Sequence, residues 1–139
     1  MAAYNKFNQF AEDLAEGVHN LASDTLKVML TNVAPVATNS QKSDLTEIAA
    51  GNGYSAGGSA VTVTGHAQSS GTFTLIGSDV VFTASGGAIA QFQYAVIYND
   101  TEANDKLIGW WDNGSAIDLA DGESVTIDFD PTNGILQLS

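Results

Sequence analysis

Cysteine and arginine are both absent from this sequence, and only 2 prolines and 4 lysines occur in it. Without cysteine there is no disulfide framework, no thiol nucleophile and no thiolate metal site, which fits a reducing cytoplasm. Without arginine, four scattered lysines cannot supply the cationic cluster that neutralises phosphates, which argues against direct nucleic-acid binding and against anionic membrane surfaces. Against 16 Asp and Glu they leave a formal net charge of −12. Such a surface favours solubility and biases the chain toward basic or cation-screened partners. A long apolar run is also missing from the N-terminal stretch MAAYNKFNQFAEDL, which reads as neither a secretory signal nor a transmembrane segment. In that setting the sequon matches Asn99-Asp100-Thr101 and Asn113-Gly114-Ser115 read as ordinary turns.

What is present points to β-structure. The 139 residues, 44% of them hydrophobic, suffice for one domain with a core. The 14 glycines and frequent Ser, Thr, Asn and Asp suit short strands joined by turns. Gln91–Asp112 reads as a long hairpin about which the rest is built. Phe92, Tyr94, Val96 and Tyr98 alternate with Gln91, Gln93, Ala95 and Ile97, the two-residue period of a strand. Asn99–Asp105 is the polar connection, and Leu107, Ile108, Trp110 and Trp111 return. Adjacent strand residues point to opposite faces, so one tryptophan enters the core and the other faces a second sheet or a subunit.

One helix is predicted, over Tyr4–Leu21, because Phe7, Phe10, Leu14, Val18 and Leu21 form an amphipathic stripe. The stripe packs either on the sheet or on another subunit. Residues 1–22 are assigned as a helical arm and 23–139 as the β domain. On that reading, removing Ala2–Leu21 leaves the β domain folded. Strands are expected at Thr25–Thr31, Ala60–Thr64, Thr72–Ile76, Asp79–Thr83, Ala116–Leu119, Glu123–Phe129 and Ile135–Leu138. Asn32–Ser43 is a loop, Asp44 would cap a helical turn that Glu47 completes, and Ala49–Ser59 is a glycine-rich turning segment. His66–Gly71 reads as a turn, Gly77-Ser78 as a hairpin or bulge, and Asp112-Asn113-Gly114 as a tight turn. The fold class is mainly β: an antiparallel sandwich, jelly-roll-like, with an N-terminal amphipathic helix.

Catalytic and metal signals are weak. Gly53-Tyr54-Ser55-Ala56-Gly57 matches a nucleophile-elbow pattern, but no strand leads into it, no helix follows, and His66 comes too soon after it in the chain. His19 and His66 lack metal-ligand spacing, and His19 reads as a partly exposed helix residue. The acidic stretches Asn99–Asp105, Asp118–Glu123 and Asp128–Asp130 offer oxygens for calcium without the twelve-residue loop pattern, so they read as solvated turns. No metal, cofactor or catalytic residue is assigned, and no enzyme activity is expected.

Three segments taken together carry a resemblance: YNKFNQFAEDLAEGVHNLASDTLKVMLTN, TEIAAGNGYSAGG and FQYAVIYNDTEANDKLIGWWDNGSAIDLADGESVTIDF. They resemble a family of small tailed-bacteriophage structural proteins commonly encoded near the major capsid protein. The resemblance covers nearly the whole chain and implies a capsid decoration, or cement, protein. Such a protein is made in the host cytoplasm and sits on the virion surface, bound to the major capsid protein and to copies of itself. The alternative is a tail or fibre component, or a receptor- or glycan-binding tip. The expected partner-facing residues are Phe7, Phe10, Leu14, Tyr98 and Trp110, with the arm and Asn32–Ser59 reaching over neighbours.

Overall fold

A computed structural model describes residues 3–139. The chain is mainly β, with antiparallel pairing throughout its sheets and one short helix near the N-terminus. The strands are β1 (Tyr4–Lys6), β2 (Leu26–Thr31), β3 (Ser59–Ala60), β4 (Val63–Ser69), β5 (Thr72–Gly77), β6 (Val80–Thr83), β7 (Ile89–Asn99), β8 (Lys106–Leu119), β9 (Ser124–Ile127) and β10 (Leu136–Leu138). The helix α1 spans Asn8–Ala15.

The expected central hairpin is β7–β8. It lies in the middle of a five-stranded sheet ordered β1-β8-β7-β2-β3. Its register contains an irregularity that strict alternation does not predict. Tyr98 faces Leu107 while Ile97 faces Gly109, so Ile108 is an extra residue on β8, a β-bulge. The bulge lets Leu107 and Trp110 share one face of the sheet while Ile108 and Trp111 belong to the other.

Both faces of this sheet are covered. On one, Leu26, Val28, Leu30, Ala95, Ile97 and Trp111 pack with side chains of two smaller sheets, among them Leu75 and Leu136, Val80 and Phe82. Those sheets are ordered β10-β5-β4 and β6-β9. One continuous apolar cluster therefore lies between layers, the arrangement of a sandwich. On the other face, Met29, Val96, Tyr98 and Leu107 pack with Phe7, Leu45 and Trp110. Such double burial explains the near-continuous apolar run Leu26–Leu30, interrupted only by Lys27.

Several local expectations change once pairing partners are known. Gly77-Ser78 is neither hairpin nor bulge: β5 pairs with β4 and β10, whereas β6 pairs with β9, so the chain crosses between sheets there. β4 runs through His66 to Ser69, and only Ser70-Gly71 turns, because β5 offers a partner along that whole length. Asp112-Asn113-Gly114 does not end the strand. Phe92 faces Ile117 and Tyr94 faces Asp112, so Asn113–Ala116 loop out from a strand that then resumes pairing with β7. Asp112 holds this excursion by accepting from the Gly114 N–H at 2.7 Å.

The N-terminal segment departs most from the arm expected over residues 1–22. Met1 and Ala2 lie outside the described residues. Tyr4–Lys6 is a strand, because the open edge of β8 at Gly109–Trp111 pairs with it. A Cβ at Gly109 would sit 2.2 Å from the Tyr4 ring, so the absent side chain makes room for that aromatic. The helix starts only after Phe7 and ends at Ala15, with Glu16 as its C-cap. Gly17, at φ +80°, donates to the Leu14 carbonyl and Val18 to that of Asp13, which is the paired closure of a Schellman motif. Gly17 thus terminates the helix, and the stripe predicted to continue to Leu21 bends back along the domain. Phe7 and Phe10 are both 0% exposed. This segment is part of the core of its own chain.

Candidate functional site

Of the five residues expected to face partners, three supply no surface. Phe7 and Phe10 are fully enclosed, and Tyr98 is 1% exposed, its hydroxyl donating to the Gly57 carbonyl at 2.6 Å. The physical reason is the second covered face of the large sheet: Tyr98 points into a layer that the sequence reading left open. Leu14 and Trp110 are half-buried. The Trp110 ring lies 4.5 Å from that of Phe7. Trp111 is a core residue, 5.6 Å from Phe129 and 5.7 Å from Tyr4. The two tryptophans do occupy opposite faces, as their adjacency requires.

The loop expected to reach over neighbours is tied to its own domain. The Asn8 N–H donates to the Ala37 carbonyl at 2.9 Å, Leu107 to Ser40 at 3.1 Å and Ile48 to Leu30 at 3.1 Å. Its short helical turn covers Lys42–Asp44, with Gln41 at the cap. Asp44 therefore lies at the end of the turn, and backbone N–H groups of Ser40 and Gln41 hold its carboxyl below the usual range. Glu47 has a different task. It accepts from the Tyr54 hydroxyl at 2.7 Å and the Gly57 N–H at 2.5 Å, and lies 3.5 Å from the Lys42 ammonium. Tyr54 also accepts from the Leu30 N–H at 3.0 Å. Burial disfavours ionisation of Tyr4, Tyr54 and Tyr98 and raises their pKa values well above the ordinary phenol range.

The glycine-rich segment is accordingly a fixed clamp. Gly58 has φ +80°, and a Cβ there would sit 1.8 Å from the Val28 carbonyl oxygen. Ser55 is exposed beside this clamp while His66 lies on β4, and no hydrogen bond joins the two among the described residues. Among its exposed residues the loop carries two large apolar ones, Val33 and Val36, 55% and 54% accessible. The Ala37–Asn8 bond ties the residue after Val36 to the start of α1.

His19 is buried, 5% exposed, contrary to its surface assignment. The chain reversal at Gly17 turns it inward, with its ring 5.2 Å from Phe10. Its Nδ1 lies 3.0 Å from the Asn99 amide, which also donates to Asp24 at 2.7 Å. The network makes Nδ1 the acceptor and places the proton on Nε2. Burial pushes the His19 pKa down, against the opposing pull of Asp13, Asp24 and Glu102 and in concert with Lys106. Among the described residues, no three His, Asp or Glu side chains converge as a metal site. The acids Asp112 and Asp130 instead accept from neighbouring N–H groups and so sit below the usual carboxylate range.

The chain is thus an antiparallel β protein whose Asn32–Ser59 segment hydrogen-bonds to its own strands and whose exposed large hydrophobics among the described residues are Val33, Val36 and Val81. No protein-family model, curated protein or solved structure matches it.

Proposed function

We propose that this chain is a non-enzymatic structural protein that decorates the outside of a bacteriophage head, docking on the major capsid protein and stabilising the shell as one of many copies. The observation that carries the reading is the exposed apolar pair Val33 and Val36, held out on a loop hydrogen-bonded to its own domain. An exposed apolar group on a rigid base loses little conformational freedom on docking, and repeated weak contacts over a symmetric shell become effective together. The family resemblance supplies the shell as partner. The acidic surface suits a position away from packaged DNA.

The tail or receptor-tip alternative would hold sugars on an exposed indole. Here Trp111 is in the core and Trp110 leans on Phe7, which leaves that alternative less support. The test is imaging of the phage particle with this chain labelled, together with heating of particles that lack it. Copies spread over the head, and loss of heat resistance restored by adding the protein, are expected. A few copies at one vertex would refute decoration. The pair Val33→Asp and Val36→Asp should abolish the restored resistance while leaving the free protein's Tm within about 2 °C, since exposed substitutions cost little.

A further inference from the structure

A second surface lies where β8 departs from regular pairing with β7. Where Asn113–Ala116 loop out of β8, a cleft of about 240 Å³ opens between the large sheet and β9. Phe92, Tyr94, Trp111, Ile117, Val125 and Ile127 form its apolar wall, and Asn113, Thr126 and Asp128 add polar groups. Consecutive residues Val125–Asp128 line it, although alternate side chains of a strand point oppositely, so the backbone edge of β9 itself borders the opening. Among the described residues that edge is free, since β9 pairs there with β6 alone in a two-stranded sheet.

Charge is segregated about this cleft. After Lys106 the chain carries Asp112, Asp118, Asp121, Glu123, Asp128 and Asp130 and no cation. Lys27, Lys42 and Lys106 gather near the hairpin loop instead, where Lys27 meets Asp100 at 3.2 Å and the Lys42 N–H donates to the Asp105 carbonyl. Lys6 faces Gly109 across β1 and β8. None of the four lines the cleft.

We infer that the cleft receives an extended, basic segment of a partner protein, which adds as a strand to the free edge of β9. Its alternate apolar side chains enter the cavity and its lysines or arginines meet Asp128 and the neighbouring acids. Backbone hydrogen bonds give such strand addition its affinity, and the pockets and charges give it selectivity. The cavity has room for a couple of side chains and not for a folded element. The cleft uses none of the residues at the Val33–Val36 tip, so either surface can fail without the other.

The probe is a short synthetic peptide alternating lysine and valine, with a glutamate–valine peptide as control, titrated into the full chain labelled with ¹⁵N. Saturable amide shifts concentrated at residues 92–95 and 125–128 are expected for the basic peptide, with affinity at least about tenfold above the acidic one and falling with salt. Asp128→Lys, a change at an exposed position, should weaken the basic peptide about tenfold while leaving the spectrum of the free protein otherwise in place. The inference is overturned by absence of saturable shifts, by shifts scattered over the acidic surface, by equal affinity of Asp128→Lys, or by a saccharide competing the cleft while neither peptide does.

Discussion

Removing residues 1–21 should unfold this protein, and the magnitude follows from two side chains. Phe7 and Phe10 are both fully buried, Phe7 against Met29, Val96 and Leu107 on one face of the large sheet and Phe10 with the main cluster on the other. Truncating a buried Phe to Ala costs ~3–5 kcal/mol through lost transfer energy and the residual cavity. The pair therefore accounts for ~6–10 kcal/mol, against a typical total of ~5–15 kcal/mol for a whole domain. The truncation further uncovers the β8 edge at Gly109–Trp111 and deletes Leu21, which is 6% exposed. Single variants keep the measurement within range. Phe10→Ala should lower stability by ~3–5 kcal/mol in urea unfolding followed by tryptophan fluorescence, with an unchanged m-value. The truncated chain should lack the near-ultraviolet circular dichroism of packed Trp111. A truncated protein that unfolds at the full-length urea midpoint would refute the argument and restore the segment as a detachable arm.

Three further outcomes are expected. Gly58→Ala forces a Cβ onto the Val28 carbonyl at a left-handed backbone position, so it should cost at least ~2 kcal/mol in chemical denaturation. Gly109→Ala meets the Tyr4 ring and the Asn5 carbonyl, and overpacking there should cost ~1–3 kcal/mol and loosen β1, read as faster amide exchange at Tyr4–Lys6. The depressed pKa of His19 sets a pH window. The unfolded chain takes up this proton from about pH 6.5 downward while the folded chain resists until lower pH, so the His19 contribution is whole above about pH 6.5 and is lost as pH falls through the folded value. Urea midpoints should fall between about pH 7 and pH 5, and His19→Gln should flatten that slope.

The residues made the strand faces legible wherever alternation alone decides. Val96 and Tyr98 do separate from Ala95 and Ile97, and Trp110 does separate from Trp111, but Phe92, expected on the face of Val96, packs with Ala95 and Ile97 because the register shifts between Phe92 and Tyr94. What could not be read is which strand edge another segment would occupy. The apolar stripe Phe7–Leu21 has helical spacing, yet Tyr4–Lys6 went to the open edge of β8 and Gly17 closed the helix after two turns. Tertiary pairing overrode a local preference that is worth only tenths of a kcal/mol per residue. Similarly, Tyr98 read as a contact residue because nothing in its neighbourhood announces that Gly57, forty-one residues earlier, will accept its hydroxyl. A capping pattern placed Asp44 at the start of a turn, whereas Glu47 was needed to fix Tyr54 and Gly57.

Both faces of the large sheet depend on where β8 breaks the two-residue period. The bulge at Ile108 lets Leu107 and Trp110 share the outer face, so Phe7 seals that layer and Trp110 remains half-buried against it. The excursion at Asn113–Ala116 parts the hairpin from β9 and leaves a strand edge and an apolar cavity side by side. A regular β8 would have put Leu107 and Trp111 on one face and closed the sheet over Gln93. Deleting Asn113–Ala116 should therefore close the cleft and abolish shifts from the basic peptide, while the contact at the loop tip persists. Loss of both together would mean that the excursion holds the fold and not the cleft, and would separate a structural role for β8 from the recognition role argued above.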